Sequence, residues 1–214
     1  MWYWFIICGI AGYLVGTINP SFIIGKIKGF DIRKRGSGNA GGSNALITMG
    51  NKIGALCMVL DILKAFGIIK LVAYLLPNQP LLYLVTGAMC IIGHMFPFYM
   101  GFKGGKGFAC LGGLILAYSA KLFIIMFLAT LAFVIITNYL CLGPIAASLA
   151  FTIIYGVREQ SIAGAAIMAV ITLVIVYKHL GNLRNIKAGT EARFSFLWNK
   201  EEETARVQKN RGEI

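Results

Sequence analysis

Long uncharged stretches, more than any motif, limit what this chain can fold into. No Asp, Glu, Lys or Arg stands from Met1 to Gly25, from Leu71 to Phe102, from Leu122 to Val157 or from Gln160 to Tyr177. A helix of about 20 apolar residues crosses a bilayer core, because lipid leaves every backbone polar group to be satisfied inside the segment. The pattern predicts an all-α polytopic membrane protein with seven transmembrane helices. The spans run from about Trp2 to Ile24, Ile53 to Leu76, Leu81 to Tyr99, the loop after Tyr99 to Tyr118, Lys121 to Leu140, Leu142 to Gly156, and Ser161 to Tyr177. The fourth and sixth are short, which a thinned bilayer or neighbouring helices would accommodate. Hydrophobic residues make up 58% of the chain and charged residues 13%, against about 25% charged in soluble domains. A soluble globular fold is excluded.

The net charge of +12 would suggest nucleic acid in a soluble protein. Here the cations sit between spans, where they set topology. Fifteen of the twenty Lys and Arg fall in loops 26–45 and 101–107 and in the tail from 178, all on one side of the predicted bundle. That side is expected to be cytoplasmic, placing the N-terminus outside and the C-terminus inside, in a multi-pass protein of the cell (plasma) membrane. The expected organisation is a membrane domain over 1–197, with loops 26–45, 101–107 and 178–193 at the active face, and a polar cytoplasmic tail over 198–214. Met1-Trp2-Tyr3-Trp4-Phe5 lacks the basic start of a cleavable signal and reads as an interfacial aromatic belt. The five cysteines lie in or beside apolar segments, form no C-x-x-C pair and read as packing residues.

Three polar clusters fall on the predicted cytoplasmic face. Arg33-Lys34-Arg35 leads into Gly36-Ser37-Gly38-Asn39-Ala40-Gly41-Gly42-Ser43-Asn44, where converging N–H groups beside cations could make an anion-binding concavity. Gly93-His94-Met95-Phe96-Pro97 is followed by Phe102-Lys103-Gly104-Gly105-Lys106-Gly107 before another helix. Bare amides, two ammonium groups and a helix N-terminus suit a phosphate, although the spacing is not that of a Walker A loop. The third cluster is Lys178-His179-Leu180-Gly181-Asn182-Leu183-Arg184, with Lys187, Gly189 and Glu191 beyond it. His179 and Asn182 share one helix face. Neither His94 nor His179 has neighbours at metal-ligand spacing, so no metal is expected. Asp61 and Lys64, at i, i+3 within a span, are expected to form a structural ion pair.

In these clusters the chain resembles the bacterial integral-membrane glycerol-3-phosphate acyltransferases that use acyl phosphate as donor. Gly36 through Asn44 resembles the family's GSGNxGATN. Gly93 through Gly107 resembles GHxFP followed by FKGGKG. His179, Asn182, Gly189 and Glu191 resemble H-x-x-N followed by G-x-E. The resemblance implies transfer of a fatty acyl group from acyl phosphate to the 1-hydroxyl of glycerol 3-phosphate, giving lysophosphatidic acid for phospholipid synthesis. It implies catalytic roles for Ser37, Asn39, His179 and Asn182, and phosphate binding by Gly104, Gly105, Lys106 and Lys103. Glu191, Asp61 and Lys64 would be supports. The partners would be the two substrates and membrane lipid, with no nucleic acid, cofactor or metal; the sequence does not set the oligomeric state.

Three departures stand out. Ile47 occupies a position where the family usually has Arg, the turn reads Asn138-Tyr139-Leu140-Cys141-Leu142-Gly143-Pro144 instead of R-Y-V-S-L-G-S, and Asn185 replaces a frequent Arg. Loss of an Arg removes a bidentate anion clamp, so Ile47 is expected to leave an anion-binding deficit that Arg33, Arg35 or another basic side chain covers only partly. Transfer to a different small acceptor, an inactive partner of a lipid enzyme, and a small anion or lipid transporter stay open as other readings of the same clusters.

Overall fold

The structure is a computed structural model that describes residues 2–191 and 193–211. Among the described residues it is all-helical. Its helices are α1 (Tyr3–Thr17), α2 (Pro20–Ile27), α3 (Gly42–Met49), α4 (Asn51–Leu75), α5 (Pro80–Met95), α6 (Phe108–Tyr118), α7 (Ala120–Thr137), α8 (Leu142–Glu159), α9 (Ile162–Lys187) and α10 (Lys200–Arg211). Among the described residues four segments are long and apolar enough to cross a membrane: Tyr3–Ile27, Pro80–Met100, Ala120–Thr137 and Ile162–Lys187. The polytopic, all-α expectation holds in that form. α4 has the length but carries Asp61, Lys64 and Lys70, and α8 ends in Arg158 and Glu159. Along α7, Ile124, Ile125, Phe127 and Leu128 are each more than half exposed, as suits a face turned to lipid.

The core lies where α5, α6, α8 and α9 meet, with Ile91, Met95, Leu111, Phe151, Met168 and Ile175 at its centre. α1 packs on α5 at backbone distance because the facing residues are glycines. A Cβ at Gly12 would meet Thr86 O at 2.3 Å, one at Gly16 would meet Cys90 O at 2.2 Å, and one at Gly93 would meet Tyr13 O at 2.1 Å. Small residues at such crossings let helices associate where lipid removes the hydrophobic driving force. Gly93→Ala is therefore expected to lose about 1–3 kcal/mol by overpacking, whereas Gly67→Ala, with nothing within 4 Å, should be neutral or slightly stabilising. Thermal unfolding of the two variants in detergent checks the contrast.

The structure corrects one sequence expectation and refines two. The first span is not one helix: it breaks at Ile18 and Asn19, since Pro20 lacks an N–H and disfavours helical backbone before it. Asn19 caps α2 by accepting from the Phe22 N–H at 2.9 Å and donates to Ala40 O at 2.9 Å. The polar stretch beyond Tyr177 stays helical, so α9 carries the third cluster down to Lys187. The 26–45 loop contains α3, and within the tail Lys200–Arg211 is helical.

The helix break explains the buried charges. Lys64 Nζ donates to Gly16 O at 3.0 Å and Ile18 O at 2.5 Å, two carbonyls at the end of α1. Asp61 lies 2.6 Å from the same ammonium, and His94 Nδ1 3.1 Å. Asp61, His94 and Cys110 come within 4.8 Å of one another, so a carboxylate and a thiol do reach His94, from helices that sequence spacing could not relate.

Candidate active site

The glycine-rich loop after Arg35 is built around a buried amide. Asn44 accepts the Ser37 N–H at 2.8 Å through Oδ1, while its Nδ2 faces the carbonyls of Ile32, Arg35 and Asn39 at 3.0, 3.0 and 2.8 Å. The loop turns tightly at Gly36 (φ +58°), where a Cβ would meet Asn44 Oδ1 at 2.2 Å. That hub presents Ser37, Gly38 and Asn39 to a cleft of about 650 Å³. Arg33 is held away from it. It pairs with Asp31 at 2.7 Å, donates to Met100 O at 2.6 Å and stacks on Phe22. Hydrogen bonding to Arg33 holds the Asp31 carboxyl down at about 2. Arg35 lies over the Phe30 ring.

The second loop corrects the picture of bare amides. The N–H of Gly104 donates to Met95 O and that of Gly105 to His94 O, each at 3.1 Å. These two glycines are required by space. A Cβ at Gly104 would meet His94 O at 2.1 Å, and one at Gly105 would meet His94 Nε2 at 2.0 Å. His94 thus joins the Asp61–Lys64 pair to the loop backbone. What the loop offers an anion is its side chains: Lys103, exposed, and Lys106, partly buried, both lining the cleft.

Lys106 donates to Asn182 Oδ1, and Asn182 Nδ2 donates to Glu191 Oε1 at 2.6 Å. Burial pushes the Lys106 ammonium below the ordinary lysine range, with Glu191 opposing it. A partly desolvated cation held by a neutral amide oxygen gains from a second, anionic partner. His179 is buried, and its Nδ1–H donates to Ile175 O at 2.8 Å. In its neutral form the ring keeps Nε2 as an acceptor. The rest of the lining comes from α9: Tyr177, Lys178, Leu180 and Arg184.

All three polar clusters converge on one cleft whose lining, among the described residues, has four cations, Lys103, Lys106, Lys178 and Arg184, and no carboxylate. Such a lining selects anions. Sequence comparison shows which anion chemistry this arrangement belongs to: the family model for glycerol-3-phosphate acyltransferase matches residues 6–189. The chain belongs to that family.

Relatives in the glycerol-3-phosphate acyltransferase family include the Bacillus velezensis enzyme, 35% identical over 88% of this chain and 96% of its own length. The Listeria welshimeri enzyme is 38% identical over 90% of this chain and 98% of its own. A crystal structure of PlsY, an integral membrane glycerol 3-phosphate acyltransferase, in its glycerol 3-phosphate form matches with a TM-score of 0.83 at 32% identity, covering 90% of this chain and 96% of that one. Its lysophosphatidic acid form matches with a TM-score of 0.80.

Within this glycerol-3-phosphate acyltransferase fold the sequence departures find places. Ile47 lies on α3, 47% exposed, and does not line the cleft, so the expected deficit there has no counterpart in the lining. Neither Arg33 nor Arg35 is the cleft's guanidinium; Arg184 is. Sequence reading has Lys178 and Arg184 in the third cluster but gives neither a site role, and it leaves Tyr177 as the last residue of the seventh span. Continuing the helical period would have placed Tyr177, Leu180 and Arg184 on one face. Asn185 Nδ2 faces Glu191 Oε2 at 3.3 Å. Cys141 is buried beside Glu191 and Lys106; burial, reinforced by the Glu191 carboxylate, pushes its thiol up to about 12. It stays neutral.

Proposed function

We propose that the cleft binds glycerol 3-phosphate and the phosphate of an acyl phosphate side by side and transfers the acyl group to the 1-hydroxyl, releasing lysophosphatidic acid and inorganic phosphate. The observation that carries this reading is the cleft that the three polar clusters line together, in which the charged side chains, from the second and third clusters, are cations and the first cluster adds Ser37, Gly38 and Asn39. Acyl phosphate is a mixed anhydride, so no enzyme nucleophile is needed. The hydroxyl oxygen attacks the acyl carbon, the bond from that carbon to the bridging phosphate oxygen breaks, and phosphate leaves with the electron pair. The hydroxyl proton passes to a phosphate oxygen. The protein's part is to bring two phosphates together against their repulsion and to stabilise charge on the carbonyl oxygen. Lys106 and Lys103 bind phosphate. Ser37 and Asn39 contact the reacting groups from the first loop, Asn182 holds Lys106, and His179, buried outside the cleft lining, positions the acceptor from behind. Gly104 and Gly105 shape the floor that keeps Lys106 in place.

The same reading places residues 1–197 in a seven-span membrane domain, N-terminus outside and C-terminus inside, with residues 198–214 as a cytoplasmic tail. Single-cysteine labelling of intact cells tests it. A probe at Gln79 should label from outside and one at Ser43 should not; the opposite pattern reverses the orientation.

Purified protein assayed with glycerol 3-phosphate should form lipid from acyl phosphate and not from acyl-CoA or acyl-carrier protein. Product from either rival donor, or none from acyl phosphate with folded protein, overturns the donor assignment. The pH profile is a second check. Lys106 binds phosphate as an ammonium, and its lowered pKa should bring the alkaline fall of kcat/KM below the ordinary lysine value. In Lys106→Arg the fall attributable to this group should vanish, since guanidinium stays charged.

A further inference from the structure

The polar chain that holds Lys106 does not end at Glu191; it continues into α10. Arg206 Nη1 donates to Gly189 O at 2.6 Å and Nη2 donates to Glu191 O at 2.7 Å. One guanidinium thus bridges two carbonyls of the turn that carries Glu191. Glu203, buried, sets the fork by accepting from Arg206 Nε at 3.1 Å and Nη2 at 2.8 Å. Asn210 Nδ2 adds a second donor to Gly189 O at 2.7 Å. Gly189 takes φ +71° there, a left-handed helix end whose N–H groups are already paired, Gly189 with Ile186 O at 3.0 Å and Thr190 and Glu191 with Asn185 O at 2.8 and 3.1 Å; Arg206 and Asn210 hold its outward carbonyls.

The stretch ahead of α10 is anchored independently. Phe194 N–H donates to Asn138 O at 2.8 Å, and Ser195 N–H donates to Asn138 Oδ1 at 2.9 Å. The turn gripped in this way leads to Cys141, which borders Lys106 and Glu191. A freely solvated tail would make neither set of contacts, and both converge on the support of one lysine.

We infer that Arg206 is a positioning residue of the active site: through the Gly189–Glu191 turn and Asn182 it sets where the Lys106 ammonium stands, so the C-terminal helix tunes glycerol 3-phosphate affinity. Residue 206 lies beyond the stretch that matches the family, 6–189. The inference rests on reading Lys106 as the phosphate ligand, and the experiment separates the two.

KM and kcat for glycerol 3-phosphate, with thermal unfolding alongside, are measured for the full chain and for Arg206→Ala, Arg206→Gln, Asn182→Ala, Lys106→Ala and Arg206→Ala/Asn182→Ala. Arg206→Ala should raise KM about tenfold, about 1.4 kcal/mol, with kcat and melting temperature little changed. Once Asn182 is gone the link to Lys106 is cut, so the double variant should match Asn182→Ala within about twofold. Full multiplication of the two single effects means that Arg206 acts elsewhere, and overturns the inference. So does an unchanged KM in Arg206→Ala when Lys106→Ala raises it. Should Arg206→Ala fail to fold, Arg206→Gln, which removes the fork but keeps a polar chain, carries the same test, and an unchanged KM there overturns the inference. An unchanged KM in Lys106→Ala defeats the reading of the cleft itself, whatever Arg206 does.

Discussion

Lys106→Ala is expected to raise KM for glycerol 3-phosphate by about one to two decades while the protein still folds. A charge-assisted hydrogen bond contributes about 1.5–3 kcal/mol, which is that range in affinity. The side chain is well placed to deliver it. Its described partner is the neutral oxygen of Asn182, and burial already disfavours its charge, so the unliganded ammonium is poorly compensated and the liganded one is not. Folding should be nearly indifferent, because removing a partly buried cation relieves a desolvation cost as it breaks one hydrogen bond. Steady-state kinetics beside thermal unfolding checks both halves. An unchanged KM in a folded variant would remove Lys106 from the phosphate site.

The second large effect lies beneath the site. Asp61→Ala is expected to destabilise the protein by about 3–5 kcal/mol, because it leaves the Lys64 ammonium buried without its counter-charge. Asp61 and Lys64 side chains are only 1% and 8% exposed, at 2.6 Å, so water cannot replace the lost carboxylate. The damage should spread along the contacts that Lys64 makes, to the end of α1 at Gly16 and Ile18 and to His94. Since His94 supports Gly104 and Gly105 from below, activity should fall at temperatures where the bundle is still folded. Asp61→Ala combined with Lys64→Met removes both charges, and should recover part of the loss seen in unfolding midpoint. A double variant no more stable than Asp61→Ala would show that the cost comes from something other than an orphaned ammonium.

Why some of this could be read from the sequence and some could not follows from how each feature is encoded. An uncharged run such as Leu122–Val157 is a property of consecutive residues, and lipid imposes its consequence directly, so the helical membrane character needed no tertiary information. The three motifs were legible as polar islands for the same reason. The break before Pro20 was encoded locally as well, in an Asn cap and a proline, but hydropathy averages over both. The α1–α5 contact is encoded by Gly12 and Gly16 four apart, a spacing that speaks only once the partner helix is known. Nothing local brings Asp61 and Cys110 to His94, or Arg206 to Gly189. Those links come from chain segments far apart, joined by packing. The Gly104–Gly105 pair is the instructive case. Its residue types were read as exposed amides, yet each N–H already has a carbonyl, and the glycines are there because His94 leaves no room for a Cβ.

The lining of the cleft, four cations and no carboxylate among the described residues, has a consequence for turnover. Under the proposed reaction two phosphate groups enter and two leave, one on the lipid product and one free. The field that gathers the substrates therefore holds the products with comparable strength, and binding contributes little to the direction of the reaction. Direction comes from breaking the anhydride. Inorganic phosphate, generated where glycerol 3-phosphate must next bind, should compete with it, so that the pace of the enzyme is governed by how quickly the cleft empties.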